Sequence, residues 1–242
     1  TWAGKDYWAN RLQDWKIENG SLHCIAEGRS MAYRTVHLVP YRLNNKQADL
    51  KASVEISLLT ADKKKGHGGF ILGVGPQIEH LKATLVFGGY GKNNGTFAGW
   101  RSDGKLVIID MENGKILATS SKSVKTKSAK LELSVKGKNL TLTSAGSRVS
   151  VELAWNKIAG NLALTSHAPR GSKSRFAFKN WNIDSDSLVK TKTKTIGPII
   201  SAQHTLSRRI MKMTVQLAPV YTSQFLTKEQ IPQKVHLQLK KN

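Results

Sequence analysis

The chain has 242 residues, 39% of them hydrophobic, enough for one sizeable core or two modest ones. No apolar run approaches the roughly 20 residues that a membrane-spanning helix requires, and the single cysteine, Cys24, excludes an intrachain disulfide. With 38 Lys and Arg against 16 Asp and Glu the formal charge is +22, which attracts acidic glycans, nucleic acid or anionic surfaces at long range without choosing among them.

In chain order the first strong signal is a hairpin. Asn19-Gly20, inside Trp15 to Cys24, fits a two-residue type I′ turn between strands. Cys24, alternating within Leu22-His23-Cys24-Ile25, reads as a buried, inert thiol. Tyr33 to Val39 is rich in β formers, and Ala52 to Leu58 alternates as a strand with one wet face does. Phe70-Ile71-Leu72-Gly73-Val74-Gly75 is apolar on both faces and belongs in mid-sheet. Thr84 to Gly88, Phe97 to Arg101, Lys105 to Met111 and Lys115 to Ser120 read as short strands, with Ser102-Asp103-Gly104 and Glu112-Asn113-Gly114 as turns. Lys130 to Lys136 alternates so that Leu131, Leu133 and Val135 face the core, and the chain turns at Gly137-Lys138-Asn139 and returns as Leu140 to Thr143. Ser150 to Leu153, Asn161 to Ser166 and Arg175 to Ile183 bring the total to about a dozen strands, leaving helical character only near Lys5 to Asp14 and Pro76 to Leu81. This is an all-β chain, with the strand density of a two-sheet sandwich or jelly roll.

The pattern closes with Phe176, Phe178 and Trp181, ahead of the tract Lys190-Thr191-Lys192-Thr193-Lys194-Thr195, which has no hydrophobic period and reads as a charged hinge. The expected organisation is a sandwich over residues 1–186, a Lys/Thr-rich linker over 187–198 and further strands over 199–242. Residues 187–242 hold ten Lys and Arg and one acid, so the excess charge is spread over both parts and reads as solvation of strand faces more than as one binding stripe.

Gly68-Gly69-Phe70-Ile71-Leu72-Gly73-Val74-Gly75, the Phe97 to Met111 hairpin, and Gly160 to Ser166 with Phe176-Ala177-Phe178-Lys179-Asn180-Trp181 resemble the concanavalin A-like, laminin-G-type jelly roll over residues 1–186. Asn10 to Gly20 with Thr35-Val36-His37-Leu38, and Lys212 to Leu217 with Val235 to Lys240, resemble the N-terminal, non-catalytic portion of secreted Bacteroidetes alkaline phosphatase D-like (PhoD-like) metallophosphoesterases. That resemblance implies a secreted or periplasmic protein, an Ig-like module opening over residues 199–242, and a hydrolase domain beyond residue 242. It carries no catalytic residue onto this chain.

Chemistry is sparse. Jelly-roll glycosidases of the laminarinase type use carboxylates alternating along one strand, and Ile108-Ile109-Asp110-Met111-Glu112 departs from that pattern at Ile108, while Glu112-Asn113-Gly114 fits a turn. The seven histidines form no metal-ligand spacing. His23 and His37 sit at strand positions, and His67, in Lys63-Lys64-Lys65-Gly66-His67-Gly68-Gly69, reads as a solvated loop residue. Asp184 and Asp186 are the only suggestion of structural calcium, short of the ligand count that calcium requires, and no cofactor is expected. No Gly-x-Ser-x-Gly elbow is present, and Gly88 to Gly95 lacks the Lys-Ser/Thr ending of a phosphate loop. The best binding candidates are Tyr90, Asn93 and Asn94, with Trp100 and Arg101 on the next strand: an aromatic platform, amides and a cation suit the apolar faces and hydroxyls of sugars. Core packing is the competing reading for Trp100, and Trp155 and Trp181 are expected in the core.

The functional expectation is a non-catalytic β-sandwich accessory module that binds a glycan or other polyanion, or that spaces a downstream phosphoesterase-type domain. The alternative is a jelly-roll glycoside hydrolase or lyase using carboxylates or Lys, Tyr and His groups on the concave face. Nucleic-acid binding is disfavoured because the positive charge is not interleaved with exposed aromatics.

Overall fold

Alternating apolar and polar residues sort the strands into two antiparallel sheets whose apolar faces meet. The computed structural model describes residues 3–4, 6–28, 32–75, 90–191 and 199–217. With strands numbered in chain order, sheet A runs β1 (Tyr7–Ala9), β4 (Tyr33–Leu43), β13 (Gly160–His167), β6 (His67–Val74), β7 (Thr96–Arg101), β8 (Lys105–Asp110) and β9 (Ile116–Ser123), with β15 (Leu188–Lys190) also paired to β4. Sheet B runs β12 (Ser147–Glu152), β11 (Asn139–Ser144), β10 (Ser128–Lys136), β5 (Leu50–Thr60), β14 (Arg175–Asp184), β3 (Ser21–Cys24) and β2 (Trp15–Glu18). Chain neighbours such as β4 and β5, or β13 and β14, lie in different sheets, so the chain passes repeatedly between the layers as a jelly roll does.

The main core lies between the sheets. Val54 and Ile56 of β5, Leu131, Leu133 and Val135 of β10, and Phe176 and Phe178 of β14 meet Phe70 and Leu72 of β6, Trp100 of β7, and Leu106 and Ile108 of β8. Each such side chain contributes about 1.5–3 kcal/mol by leaving water. All eight residues of β6 and of β13 are buried, so these two strands carry apolar surface on both faces, as the run Phe70 to Val74 requires. The Asn19-Gly20 turn has φ of 50° and 70°, the left-handed pair of a type I′ hairpin. Cys24 is buried in the core, and burial pushes its thiol pKa up.

The expected helix near Lys5 to Asp14 is instead β1 followed by a single 3-10 turn at Leu12–Asp14. The Asn10 side chain explains the difference, since its Oδ1 accepts from Thr35 N–H at 3.1 Å and its Nδ2 donates to Tyr33 C=O at 3.1 Å, a side-chain extension of the β1–β4 ladder. Behind it, buried Asp14 accepts from Arg34 Nε at 2.5 Å and faces Arg11 Nε at 3.2 Å, tying this segment to the start of β4.

The sandwich continues past residue 186. Ser187 is buried, its hydroxyl 2.7 Å from Lys46 C=O and 2.9 Å from Asn44 Oδ1, β15 pairs with β4, and Thr191 N–H donates to Pro40 C=O at 2.8 Å. Residues 187–191, expected in the linker, are therefore strand and turn of the sandwich. Beyond them β16 (Ile199–Ser207) and β17 (Ile210–Leu217) form a separate two-stranded hairpin, turned by Arg208 and Arg209 at φ of 50° and 62°. The expected strands at Thr84 to Gly88 and Val235 to Lys240, and the helical possibility at Pro76 to Leu81, lie outside the described residues.

Removing one partner of a buried ion pair leaves the other uncompensated, so Asp14→Ala is expected to cost about 3–5 kcal/mol in urea unfolding. A cost below about 1 kcal/mol, the level of a solvent-exposed pair, would show that the Asp14–Arg34 contact is not structural.

Candidate functional site

The outer face of sheet A, turned away from sheet B, holds a second apolar cluster: Tyr33, Ile71, Val74, Phe97, Val107, Ile109, Met111 and Ala163. Strand register sets its layout. Tyr33 on β4 pairs with His167 on β13, His167 with His67 on β6, and His67 with Arg101 on β7, giving one row across four strands. The next row runs Thr35, Thr165, Gly69, Gly99 and Val107.

The paired glycines make the floor of the site. A Cβ on Gly69 would lie 2.5 Å from Gly99 Cα, and one on Gly99 would lie 2.4 Å from Phe97 Cζ, so neither position tolerates a side chain. In the space left free, the Phe97 ring lies over Gly99 and reaches His67, with centroids 4.5 Å apart, although the two residues belong to different rows. His67 stacks on His167 at 4.0 Å and 21°, Tyr33 meets His67 edge-on at 5.5 Å, and Tyr90 meets Tyr33 edge-on at 5.5 Å and 71°. Tyr33 Oη is 3.1 Å from His67 Nε2.

His67, expected in solvent, is thus a buried strand residue, 5% exposed. The glycines around it, which suggest a loop in sequence, are there because His167 C=O, Phe176 and Gly99 pack where their Cβ atoms would be. Burial first, then the charges of His167 and Arg101, holds His67 well below the ordinary imidazole pKa. Burial also lowers His167 to about 4. Both rings are neutral at pH 7. Burial, followed by the contact with Tyr90, pushes the Tyr33 phenol above its usual range.

Of the expected ligand residues, Tyr90 and Arg101 lie on this outer face. Tyr90 is 50% exposed, one side of its ring lying over Gly114. Arg101 is clamped by Asp103 through two bonds of 2.8 Å, and Lys65 joins the same carboxylate at 3.0 Å. Partial burial works against ionisation of Asp103, and the bonds from Arg101 and Lys65 outweigh it, holding the carboxyl well below its usual range. Asn93, at φ 64°, and Asn94 form the turn after Tyr90, with Asn93 N–H donating to Glu112 Oε1 at 3.3 Å. Trp100 points the other way, 1% exposed between the sheets, because it alternates with Arg101 and Gly99 along β7. It offers no platform. Trp155 is in the core, and Trp181 packs on its edge 6.2 Å from Tyr7.

Ile108 is buried in the main core and Glu112 lies in the turn after β8. Lys157 Nζ is 2.5 Å from Glu112 Oε2 and 3.8 Å from Asp110 Oδ2, and Asp110 Oδ1 accepts Glu112 N–H at 2.9 Å. Lys157, then Asn93 N–H, lowers the Glu112 pKa, the opposite of what a general acid needs. Among the described residues no three His, Cys, Asp or Glu side chains converge as metal ligands.

No protein-family model matches the chain, and no curated protein does. Among solved structures it is similar to lectin I-B4 from Griffonia simplicifolia, metal-free form, with a TM-score of 0.53 and 11% identity over 75% of this chain and 93% of that one. It is similar to a mutant of the Emp46p carbohydrate recognition domain, TM-score 0.51 and 16% identity over 74% and 87% of the two chains. The carbohydrate binding module CBM66 from Bacillus subtilis matches with a TM-score of 0.47 and 10% identity over 75% and 97%. At these identities the shared property is the fold, a jelly-roll sandwich.

The two neutral histidines make stability fall with acidity. His167 binds a proton at pH 6.5 when unfolded and only near pH 4 when folded, so below pH 6.5 the unfolded chain holds more protons. Stability should be level above pH 6.5 and drop by about 3 kcal/mol towards pH 4 from His167 alone, with His67 adding in the same direction. Urea midpoints across that range check this, and a flat profile in which His167→Gln makes no difference would contradict it.

Proposed function

We propose that this chain is a non-catalytic glycan-binding module of a secreted or periplasmic protein. The observation that carries the reading is Tyr90, a half-exposed ring held edge-on by buried Tyr33 and backed by Gly114, with the Asn93-Asn94 turn beside it. A sugar ring stacks its C–H face on such a surface while amides meet its hydroxyls. A preformed platform loses little entropy on binding. The fold shared with a lectin and with a carbohydrate recognition domain supports the reading. The alkaline phosphatase D-like resemblance adds that the module sits ahead of a hydrolase domain, with Lys192 to Gly197 joining it to an Ig-like unit that opens with β16 and β17. Limited proteolysis between Lys192 and Gly197 that releases a stable sandwich would support this division.

A second reading, a polyuronate lyase, is favoured by one contact, Tyr33 Oη at 3.1 Å from His67 Nε2, a phenol and an imidazole able to share the proton of an elimination. It requires a uronate to reach a tyrosine that is 2% exposed. Incubation with alginate, followed by ultraviolet absorbance of the unsaturated product, decides: turnover abolished by Tyr33→Phe establishes the lyase and removes the non-catalytic reading.

For the binding reading, Tyr90→Ala should weaken a neutral oligosaccharide about 5- to 150-fold, the size of a base–aromatic stacking contact. The loss should persist at high salt, because stacking is not screened. Equal affinity of Tyr90→Ala and the parent chain on a glycan array and by calorimetry would contradict it.

A further inference from the structure

At the end of sheet A where the Tyr33–His167–His67–Arg101 row lies, three loops distant in sequence converge: residues 61–66, 102–104 and 168–174. Contacts between them are specific. Lys64 Nζ donates to Arg170 C=O at 2.9 Å, Lys173 N–H to Asp62 Oδ2 at 2.9 Å, Ser102 N–H to Gly66 C=O at 2.8 Å, and Lys65 pairs with Asp103. Buried Ser172 and Ser174 fasten the cap, with Ser172 Oγ donating to Lys64 C=O at 2.8 Å and accepting Ser174 N–H at 3.1 Å. Gly66 and Gly28 sit so close to His167 C=O and Pro169 C=O that a Cβ would be 2.4 Å and 2.1 Å away. At these two glycines the backbones leave no room for a side chain.

On this fixed scaffold stand Lys63, Lys64, Lys65, Arg101, Lys105, Arg170, Lys173 and Arg175, against two acids, Asp62 and Asp103. Both acids are committed within the cap: Asp62 accepts Lys64 and Lys173 N–H groups, and Asp103 holds Arg101 and Lys65. Lys63, Arg170 and Lys173 are exposed, and no carboxylate forms an ion pair with them among the described residues. Cations carried on a fixed backbone, with their local acids already used, attract an anion that then has only their side chains left to order.

We propose that this cap binds the sulfate or carboxylate groups of an acidic glycan, adding a charged subsite to the face that carries Tyr90. The proposal rests on the glycan-binding reading and names its ligand class. The three loops contain no aromatic residue, so they lack the stacking surface that single-stranded nucleic acid uses.

The test is titration of the full chain with dextran sulfate, alginate, a neutral glucan and duplex DNA at low and high salt. The cap variant Lys63→Gln/Arg170→Gln/Lys173→Gln is compared with Lys136→Gln/Lys138→Gln/Arg148→Gln, which removes the same charge from exposed positions at the edge of sheet B. The cap variant should lose at least about tenfold in dextran sulfate affinity, and its log–log salt slope should shrink by about 2 to 3, the number of cations removed. The sheet B variant should lose less than about twofold, and neutral-glucan binding should be unchanged in both. The charge-keeping variant Lys63→Arg/Arg170→Lys/Lys173→Arg should retain binding. Equal losses in the two Gln variants would overturn the proposal, because net charge alone would then carry binding. Duplex DNA bound as tightly as dextran sulfate, with the same loss in the cap variant, would overturn it in favour of nucleic acid. Neutral-glucan binding without acidic preference would overturn the cap alone, whereas no binding to any glycan would overturn the cap and the glycan reading together.

Discussion

The facing pair Gly69 and Gly99 decides what the outer face of sheet A can hold. In mid-sheet, where β-branched residues would ordinarily sit, two backbones approach so closely that any Cβ would strike Gly99 Cα, Gly68 C=O or the Phe97 ring. The cost is the conformational entropy of ordering glycine in a strand. The gain is a floor on which the rings of Phe97 and His67 lie, so that His167, Tyr33 and finally Tyr90 stack outward in sequence. The exposed ring is thus the last of a packed series, and its orientation is inherited from buried residues.

The same packing accounts for the electrostatics. Two imidazoles 4.0 Å apart under an aromatic cover cannot both be charged, and burial keeps them neutral. Charge is displaced to the rim, where Asp103 gathers Arg101 and Lys65 at one place and Glu112 gathers Lys157 at another. The centre of this face is apolar and buried, and its charged pairs stand at the rim.

Much of the fold was legible in sequence, because period-2 alternation and Asn-Gly or Asp-Gly turns act locally. The alternation of Leu131, Leu133 and Val135, the doubly apolar run Phe70 to Val74 and the Asn19-Gly20 turn each correspond to the observed strand, face or φ. What was not legible depends on distant partners. His67 looks like a loop residue beside three lysines and three glycines, and only the register of β6 against β13 and β7 buries it. Ser187 to Lys190 looks like the start of a linker, yet one free edge of β4 and the carbonyls of Asn44 and Lys46 take it into the sandwich. The cationic cap was hidden for the same reason, since its loops are separated in sequence and the charge, counted along the chain, is diffuse. Tyr90 and Arg101, singled out by residue type, lie on the outer face of sheet A, whereas period-2 alternation along β7 puts Trp100 on the face opposite Arg101, which assigns Trp100 to the core.

Under the proposed function the ligand lands on the outer surface of sheet A at Tyr90. Mapping of backbone and aromatic ring chemical shifts during titration with a neutral oligosaccharide tests this placement. The largest changes are expected at Tyr90, Asn93 and Asn94, with smaller ones transmitted to the rings of Tyr33 and His67. Saturable binding whose shifts fall instead on the outer face of sheet B, around Glu55, Ser57 and Lys130, would contradict it.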